Sequence, residues 1–325
     1  MAPAVCRGGC FTPRADRVGS QNASGATVTA PVPNSDARPL VSVIMSMRNS
    51  ATTVGAAVRS IQLQTLPNWE LIAIDDGSTD QGAAIVAAFG DPRIRLVREP
   101  ASAGLAARLN QAVALSRGDY IARMDADDIC FPERLARQVA RLQQDPAIDC
   151  LGCGAVVFVD SGRLVGVLPS GLTHQEITAQ PYRGFPFPHP TWCGRAEWFR
   201  NNPYDAKLMK TQDQDLLLRV FAHSRFAALA DALVGYRQDG LDLKKMLQGR
   251  RVFIGSLWRH ARPGQPLPAL WGIVAQILKG AADIGSIGLG LGHWAQRGRL
   301  KPVPPAVAQQ WQELQRQLGA DKRAA

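Results

Sequence analysis

The sequence lacks a long apolar run. No uninterrupted stretch of about 18 apolar residues, the length of a typical membrane-spanning helix, occurs anywhere in the chain. The best candidate begins at Leu267 and is interrupted by Lys279. The first 38 residues also lack the apolar core of a secretory signal. We therefore expect a cytoplasmic protein without a spanning helix.

Two motifs that define large protein classes are also missing. The pattern GxxxxGK[ST] does not occur, which excludes a P-loop nucleotide hydrolase. Cys150 and Cys153 form a single CxxC, but no second pair follows at zinc spacing, which argues against a structural zinc site. Scattered cysteines without a framework predict reduced thiols, as in cytoplasmic proteins.

The composition is that of a basic globular protein. Hydrophobic residues make up 46% and charged residues 20% of the 325 residues, so a sizeable core can form. The formal net charge of +10 suits polyanions such as nucleic acid, acidic lipid or phosphorylated small molecules. No basic-aromatic module is present, and we do not expect nucleic-acid binding.

The apolar pattern divides the chain into three parts. Residues 1–38 have no periodicity and predict a disordered tail. Residues 39–240 alternate apolar strand-like runs with helical patterns, which predicts an α/β domain with a mostly parallel sheet flanked by helices. Residues 241–325 predict a basic helical C-terminal segment. In the α/β part, strands are expected at 40–46, 70–75, 93–98 and 119–125.

Polar residues follow the carboxyl ends of three predicted strands, where ligands bind in such sheets. The densest group is Asp125, Asp127 and Asp128, directly after the fourth strand. Carboxylates this close repel one another, and a divalent cation such as Mg²⁺ or Mn²⁺ relieves the repulsion. A solvated acidic loop without a metal is the alternative.

Two other acidic segments permit either a structural or a chemical interpretation. Asp76 precedes Gly77 in a turn that either caps the next helix or accepts a hydrogen bond from a nucleotide base. Asp213 and Asp215 begin a helix predicted at 213–222. Carboxylates at a helix N-terminus are stabilised by the helix dipole, so these residues could serve as caps alone.

Several segments, taken in order, match a known pattern: VSVIMSMRN, WELIAIDDGSTD, GLAARLNQAVALSRGDYIARMDADD, PERLARQV, HPTWCGR, TQDQDLLLR and VGYR. The chain from about 40 to 240 resembles family 2 glycosyltransferases of the bacterial surface or exopolysaccharide type. This resemblance implies the GT-A fold, which is Rossmann-like, and inverting transfer from a nucleotide-diphospho-sugar, most commonly a UDP-sugar.

The resemblance also assigns roles to individual residues. Ser46, Met47 and Asn49 would border the donor base, and Asp76 would bond the uracil ring. Asp125 would contact the donor, Asp127 would bind Mn²⁺ or Mg²⁺, and Asp213 would be the catalytic base. The chain departs from the family pattern at Gln212, where Glu is usual, and at Ser46-Met47-Arg48, where Pro-Thr-Tyr is frequent.

By this resemblance, the acceptor is a hydroxyl of a glycan, free or lipid-linked, in polysaccharide biosynthesis. The alternatives are a polyprenyl-phosphate glycosyltransferase and a non-catalytic nucleotide-sugar-binding subunit of a synthesis complex.

The C-terminal segment has a membrane-surface pattern. Basic and apolar residues are interleaved over 244–262, and an apolar stretch follows at 267–278. This pattern predicts an interfacial segment on anionic lipid, at the inner face of the membrane. Helices packed on the catalytic domain, with a solvated basic face, are the alternative.

Overall fold

The computed structural model describes residues 38–238, 240, 242–261, 266–289 and 300–320. The tail predicted for residues 1–38 lies outside these ranges except for Arg38, which forms an ion pair with Asp119 at 2.7 Å.

Strands and helices alternate through the first half, as the sequence predicted. Within the described ranges the strands are β1 (Val41–Met47), β2 (Trp69–Asp76), β3 (Ile94–Glu99), β4 (Tyr120–Asp125), β5 (Ile129–Cys130), β6 (Cys150–Phe158), β7 (Leu164–Val167), β8 (Cys193–Arg195) and β9 (Phe226–Arg237). The helices are α1 (Val54–Gln62), α2 (Gly82–Ala88), α3 (Leu105–Leu115), α4 (Arg134–Gln144), α5 (His174–Thr178), α6 (Ala196–Asn201), α7 (Gln212–Val220), α8 (Leu243–Arg259), α9 (Pro266–Gly288) and α10 (Pro305–Ala320).

These strands form one mixed sheet in the order β3-β2-β1-β4-β8-β6-β9-β5, with β7 paired to β6. The first four strands in this order are parallel. Strand β8 then pairs antiparallel with both β4 and β6, while β6 and β9 are parallel. The mostly parallel arrangement therefore holds for the first half, where helical crossovers connect the strands, and the second half is mixed.

The sheet is covered on both faces, which explains why its central strands are apolar throughout. Every residue of β2 is buried, and β1 is buried except at Ser46. On one face, helices α1 and α4 share a core cluster with β1. Leu135, Val139 and Leu142 of α4 recur at helical spacing and are buried. On the other face, α3, α6, α7 and α8 contribute to a second core cluster.

The last helix returns to the sheet, which the sequence did not indicate. In α10, Trp311 packs on Phe131 and Phe158 with ring centroids 5.8 and 4.8 Å away. Its indole N–H donates to the carbonyl of Gly162 at 2.8 Å. A Cβ at Gly235 would lie only 2.4 Å from the Trp311 ring, so the close packing requires glycine there.

Helix α9 corrects the expectation that the apolar stretch is too short. It continues past Lys279 to Gly288, because lysine is a good helix former and does not interrupt a helix. The Lys279 ammonium donates to the carbonyl of Arg183 at 3.3 Å. Among the described residues, α9 is the one helix long and apolar enough to cross a bilayer by length and composition. Only 28% of its most apolar 18-residue window is buried.

The cysteines behave as predicted where the structure describes them. Cys130, Cys150, Cys153 and Cys193 are buried free thiols. The remaining two, Cys6 and Cys10, lie outside the described residues.

Candidate active site

The carboxyl ends of β1, β2 and β4 meet at one edge of the sheet. Ser46 is in register with Asp125 of β4, and Met47 with Asp75 of β2. Beyond this edge lies a cleft of about 710 Å³. The predicted site residues that line it are Ser46, Asn49, Asp76, Asp125 and Asp127.

Two predicted residues do not line the cleft. The side chain of Met47 is 1% exposed and packs in the core with α1 and α4, because neighbouring residues of a strand point to opposite faces. Asp213 lies at the start of α7, directly after a loop whose Met209 and Lys210 do line the cleft.

Asn49 joins the loops that follow β1 and β2. Its backbone N–H donates to Ser78 Oγ at 2.9 Å, and its Oδ1 accepts from the Thr79 N–H at 2.9 Å. Its φ of +50° is in the left-handed region, which asparagine tolerates better than most residues. Asn49 therefore fixes the shape of the cleft wall through its own hydrogen bonds.

The carboxylate of Asp76 is held by four donors of the chain itself. They are Ser102 Oγ at 2.7 Å, Ala103 N at 2.7 Å, Gly104 N at 3.1 Å and Arg108 Nε at 2.7 Å. Burial alone would raise the pKa of Asp76, but these hydrogen bonds hold it below its ordinary value. A carboxylate accepts about four hydrogen bonds, so a uracil N–H could bond Asp76 only by replacing one of these donors.

The three carboxylates after β4 form a compact cluster. One oxygen from each of Asp125, Asp127 and Asp128 lies within 4.8 Å of the others. Asp128 is buried; its Oδ1 accepts from the Arg237 N–H at 2.9 Å, whereas its Oδ2 has no hydrogen-bond partner. Burial first, and then the charges of the other two carboxylates, raise the pKa of Asp128 well above its ordinary value. A buried oxygen without a partner, beside two more carboxylates, fits a hard divalent cation.

Asp127 presents its carboxylate to the cleft. It is the exposed member of the cluster. Partial desolvation within the cleft and, after it, the charge of Asp125 raise the pKa of Asp127. Arg237 fixes the loop that carries Asp127, because its Nε donates to the Asp127 carbonyl at 3.0 Å and its NH1 donates to Asp160 at 2.6 Å. Arg237 lies inside the VGYR segment, which is the signal that could have identified it.

A buried cation lies next to the cluster. The guanidinium of Arg123 on β4 forms an ion pair with Asp125, and its Nε and NH1 are buried without hydrogen-bond partners. Arg134 of α4 donates to the carbonyl of Arg123 at 2.7 Å and to that of Pro190 at 2.9 Å, which fixes β4 behind the cleft. The signal for Arg123 was a charged residue inside an otherwise apolar strand.

Asp213 is a half-buried carboxylate. It lies in the first turn of α7 and accepts a hydrogen bond from Gln214 Nε2 at 3.3 Å. Burial, the largest cause, raises its pKa, and the positive charge of Arg123 opposes that rise.

Asp215 is more than a helix cap, in contrast to the simpler alternative from sequence. It is 1% exposed, and His260 Nε2 lies 3.0 Å from its Oδ1. Arg259 NH2 donates to the same oxygen at 3.2 Å, and Arg219 Nε donates to Oδ2 at 3.3 Å. Asp215 therefore connects α7 to α8.

Parallel strand ends, a polar cleft and an acidic cluster are the arrangement that the resemblance to GT-A glycosyltransferases implies, and comparisons with known proteins agree with it. The family model "Glycosyl transferase family 2" matches residues 42–201. A putative glycosyltransferase from Bacillus subtilis, EpsE, is 38% identical over 215 residues, which cover 64% of this chain and 76% of that protein. The chain belongs to glycosyltransferase family 2.

Two further comparisons carry named substrates. The Escherichia coli protein WfgD, a UDP-Glc:alpha-D-GlcNAc-diphosphoundecaprenol beta-1,3-glucosyltransferase, is 31% identical over 140 residues, 42% of this chain and 54% of that protein. The mannosyltransferase PcManGT from Pyrobaculum calidifontis, solved with GDP-Man and Mn²⁺, aligns with a TM-score of 0.53 and 19% identity over 89% of this chain and 87% of that chain. At this identity the second comparison shows the fold alone.

Proposed function

We propose that this protein transfers a sugar, with inversion, from a UDP-sugar to a hydroxyl of a glycan acceptor during polysaccharide biosynthesis. The observation that carries the proposal is the buried, unpartnered oxygen of Asp128 in a three-carboxylate cluster at the cleft. Asp127, with Asp125 and Asp128 beside it, would hold Mn²⁺ or Mg²⁺. Such a cation stabilises the negative charge that develops on a diphosphate leaving group.

The donor would occupy the cleft beyond β1, β2 and β4. Ser46, Asn49, Asp76 and Asp125 line this cleft. Ser46, Asn49 and Asp76 would contact the nucleoside, and Asp125 would contact the donor beside the metal. The UDP-sugar named for WfgD supports uridine as the base. Because the side chain of Met47 is buried, this residue would contact the donor only through its main-chain groups.

Asp213 would act as the general base. Its raised pKa makes it a better proton acceptor than an exposed aspartate, while the charge of Arg123 helps to keep it ionised. As the acceptor oxygen attacks the anomeric carbon, Asp213 takes the hydroxyl proton and the bond to the diphosphate breaks. One displacement of this kind inverts the anomeric centre and needs no covalent enzyme intermediate.

The acceptor would be a growing glycan carried on a lipid. The diphosphoundecaprenol-linked acceptor named for WfgD supports this assignment. Two alternatives differ in testable ways: a polyprenyl-phosphate glycosyltransferase would use a phosphate acceptor, and a non-catalytic subunit would bind donor without turnover. We do not propose nucleic acid as a partner.

We also propose that residues 39–240 form the catalytic domain and that residues 241–325 attach it to the cytoplasmic face of the membrane. In the predicted interfacial segment, Phe253 and Leu257 of α8 pack into the core. The exposed apolar surface lies mainly on α9, where its members are Leu267, Leu270, Trp271, Val274, Ile277, Leu278 and Ile284.

The inner face of α9 supports a surface location over a spanning one. Its Gln276 and Asp283 are buried and bond Arg250 of α8, so one side of the helix is attached to protein. A helix with an apolar outer face beside basic residues is typical of attachment in the plane of an anionic membrane.

Vesicle co-sedimentation tests the membrane proposal. We expect binding to anionic vesicles at low salt and loss of binding in Trp271→Ser/Leu278→Ser, with Leu172→Ser as a control on an exposed leucine elsewhere. Equal sedimentation of all three proteins would contradict it.

Screening of nucleotide-sugars tests the donor. With Mn²⁺ present, one UDP-sugar should raise the melting temperature more than UDP or other sugar nucleotides, because a ligand that binds only the folded state stabilises it. NMR of the product, or of the slow hydrolysis product, should show the anomeric configuration opposite to that of the donor. Retention of configuration would refute the proposed displacement.

A further inference from the structure

A second cavity, of about 700 Å³, lies between the catalytic domain and helices α8 and α9. Five cationic side chains line it: Arg183, Lys210, Lys245, Arg250 and Lys279. No aspartate or glutamate is among its described lining residues. The cavity is therefore strongly positive, although nothing in the transfer reaction described above uses it.

Not all of this charge is neutralised by the protein. Arg250 is bonded to Asp283 at 2.8 Å, and Lys245 lies 3.7 Å from Asp242. In the part of the chain that the structure describes, no carboxylate lies within ion-pair distance of Arg183 or Lys210. Clustered guanidinium and ammonium groups of this kind recognise phosphate groups through charge-assisted hydrogen bonds.

The cavity adjoins the proposed catalytic base. Gln214 is one of its lining residues, and this side chain also donates to the carboxylate of Asp213 at 3.3 Å. Lys210 lines both this cavity and the donor cleft. A molecule held in the cavity would therefore lie next to both Asp213 and the donor cleft.

The helix that closes the cavity is apolar on its outer side. Gln276 and Lys279 of α9 line the cavity, while Trp271 and Leu278 of the same helix are 63% and 62% exposed. The same short length of helix thus offers Lys279 to the cationic cavity on one side and an apolar surface on the other. An amphiphile with an anionic head and a hydrocarbon tail matches both.

We propose that this cavity binds the diphosphate of a lipid-linked acceptor, with the hydrocarbon chain along α9 and the glycan directed toward Asp213. This inference rests on the proposed function for the identity of the acceptor, but binding at the cavity can be measured without sugar transfer. The cations of the cavity would position the acceptor and leave the donor cleft unchanged.

Binding of farnesyl diphosphate, measured by calorimetry in the presence of a chelator, tests the proposal on the full-length protein. Arg183→Gln/Lys245→Gln removes two exposed cations of the cavity. The matched control, Arg95→Gln/Arg225→Gln, removes two exposed cations elsewhere. We expect the first variant to bind farnesyl diphosphate at least roughly tenfold more weakly, because each of its two substitutions removes a charge-assisted bond to phosphate. The control variant should bind as wild type does.

Three further arms separate the alternatives. Asp127→Asn should bind farnesyl diphosphate as wild type does, because the ligand does not occupy the donor cleft; loss of binding in this variant would overturn the proposal. Inorganic diphosphate should bind more weakly than farnesyl diphosphate, and equal affinities would refute the lipid-linked source. Farnesol should not compete. Absence of sugar transfer together with cavity-dependent binding would refute the proposed function and leave this site intact.

Discussion

Replacing Asp128 by asparagine should stabilise the metal-free protein. The side chain is buried, its Oδ2 has no partner, and two further carboxylates lie within 4.8 Å. At an effective dielectric constant of about 20, two unit charges about 5 Å apart repel by roughly 3 kcal/mol. Solvent screening at the exposed Asp127 and partial protonation reduce this, so we expect a net gain of about 1–2 kcal/mol.

The size of the effect depends on pH in a defined way. The pKa of Asp128 is higher in the folded than in the unfolded protein, so the wild-type protein loses stability as pH rises through the folded pKa. The advantage of Asp128→Asn should therefore be largest at neutral pH and vanish below the ordinary pKa of aspartate. The Arg237 N–H still has an oxygen to donate to in the variant, so the backbone contact is kept.

Thermal unfolding in chelator measures this directly. A gain of 1–2 kcal/mol should raise the melting temperature by about 2–8 °C. Addition of Mn²⁺ should raise it further in the wild-type protein than in the variant, since a ligand at about 100 times its Kd adds about 2.7 kcal/mol. Glu133→Gln, an exposed charge removal nearby, is the control. A variant less stable than wild type in chelator at neutral pH would refute this reasoning.

Three other predictions concern helix α7 and strand β9. Asp213→Asn should lower kcat by roughly 10²–10⁴-fold, with donor and metal affinity retained. In the wild-type enzyme, the acid limb of the kcat profile should lie above the ordinary aspartate pKa, because burial raises the pKa of Asp213. Steady-state kinetics across pH would check both. Asp215→Asn should lower the free energy of unfolding by about 2–4 kcal/mol, because it weakens a buried contact with His260 and two arginines, as denaturant titration would show. Gly235→Ala should cost about 1–3 kcal/mol through its clash with Trp311, measured in the same way.

Much of the first half could be predicted from sequence because its signals are local. Parallel strands covered on both faces appear as apolar runs, and β1, β2 and β4 begin and end within one residue or so of the predicted bounds. The rule that ligands lie at carboxyl strand ends then selected Asn49, Asp76, Asp125 and Asp127, and the family resemblance added Ser46; all five line one cleft.

The missed features depend on contacts between residues far apart in the chain. Asp215 is buried because α8 packs on α7, and no pattern within either helix indicates that contact. The docking of Trp311 on Phe158 and the second cavity likewise arise from the return of the C-terminal helices. The prediction that Met47 lines the cleft was wrong because neighbouring residues of a strand point to opposite faces, and its side chain points into the core.

Release of UDP from the UDP-sugar identified by screening, in the presence of acceptor, tests the central claim most directly. Wild-type protein with Mn²⁺ or Mg²⁺ should turn over, excess chelator should abolish turnover, and restored cation should recover it. Asp127→Asn should remain folded, with no recovery on addition of the cation. Full turnover in excess chelator, or undiminished turnover by Asp127→Asn, would contradict a metal-dependent transfer at the acidic cluster.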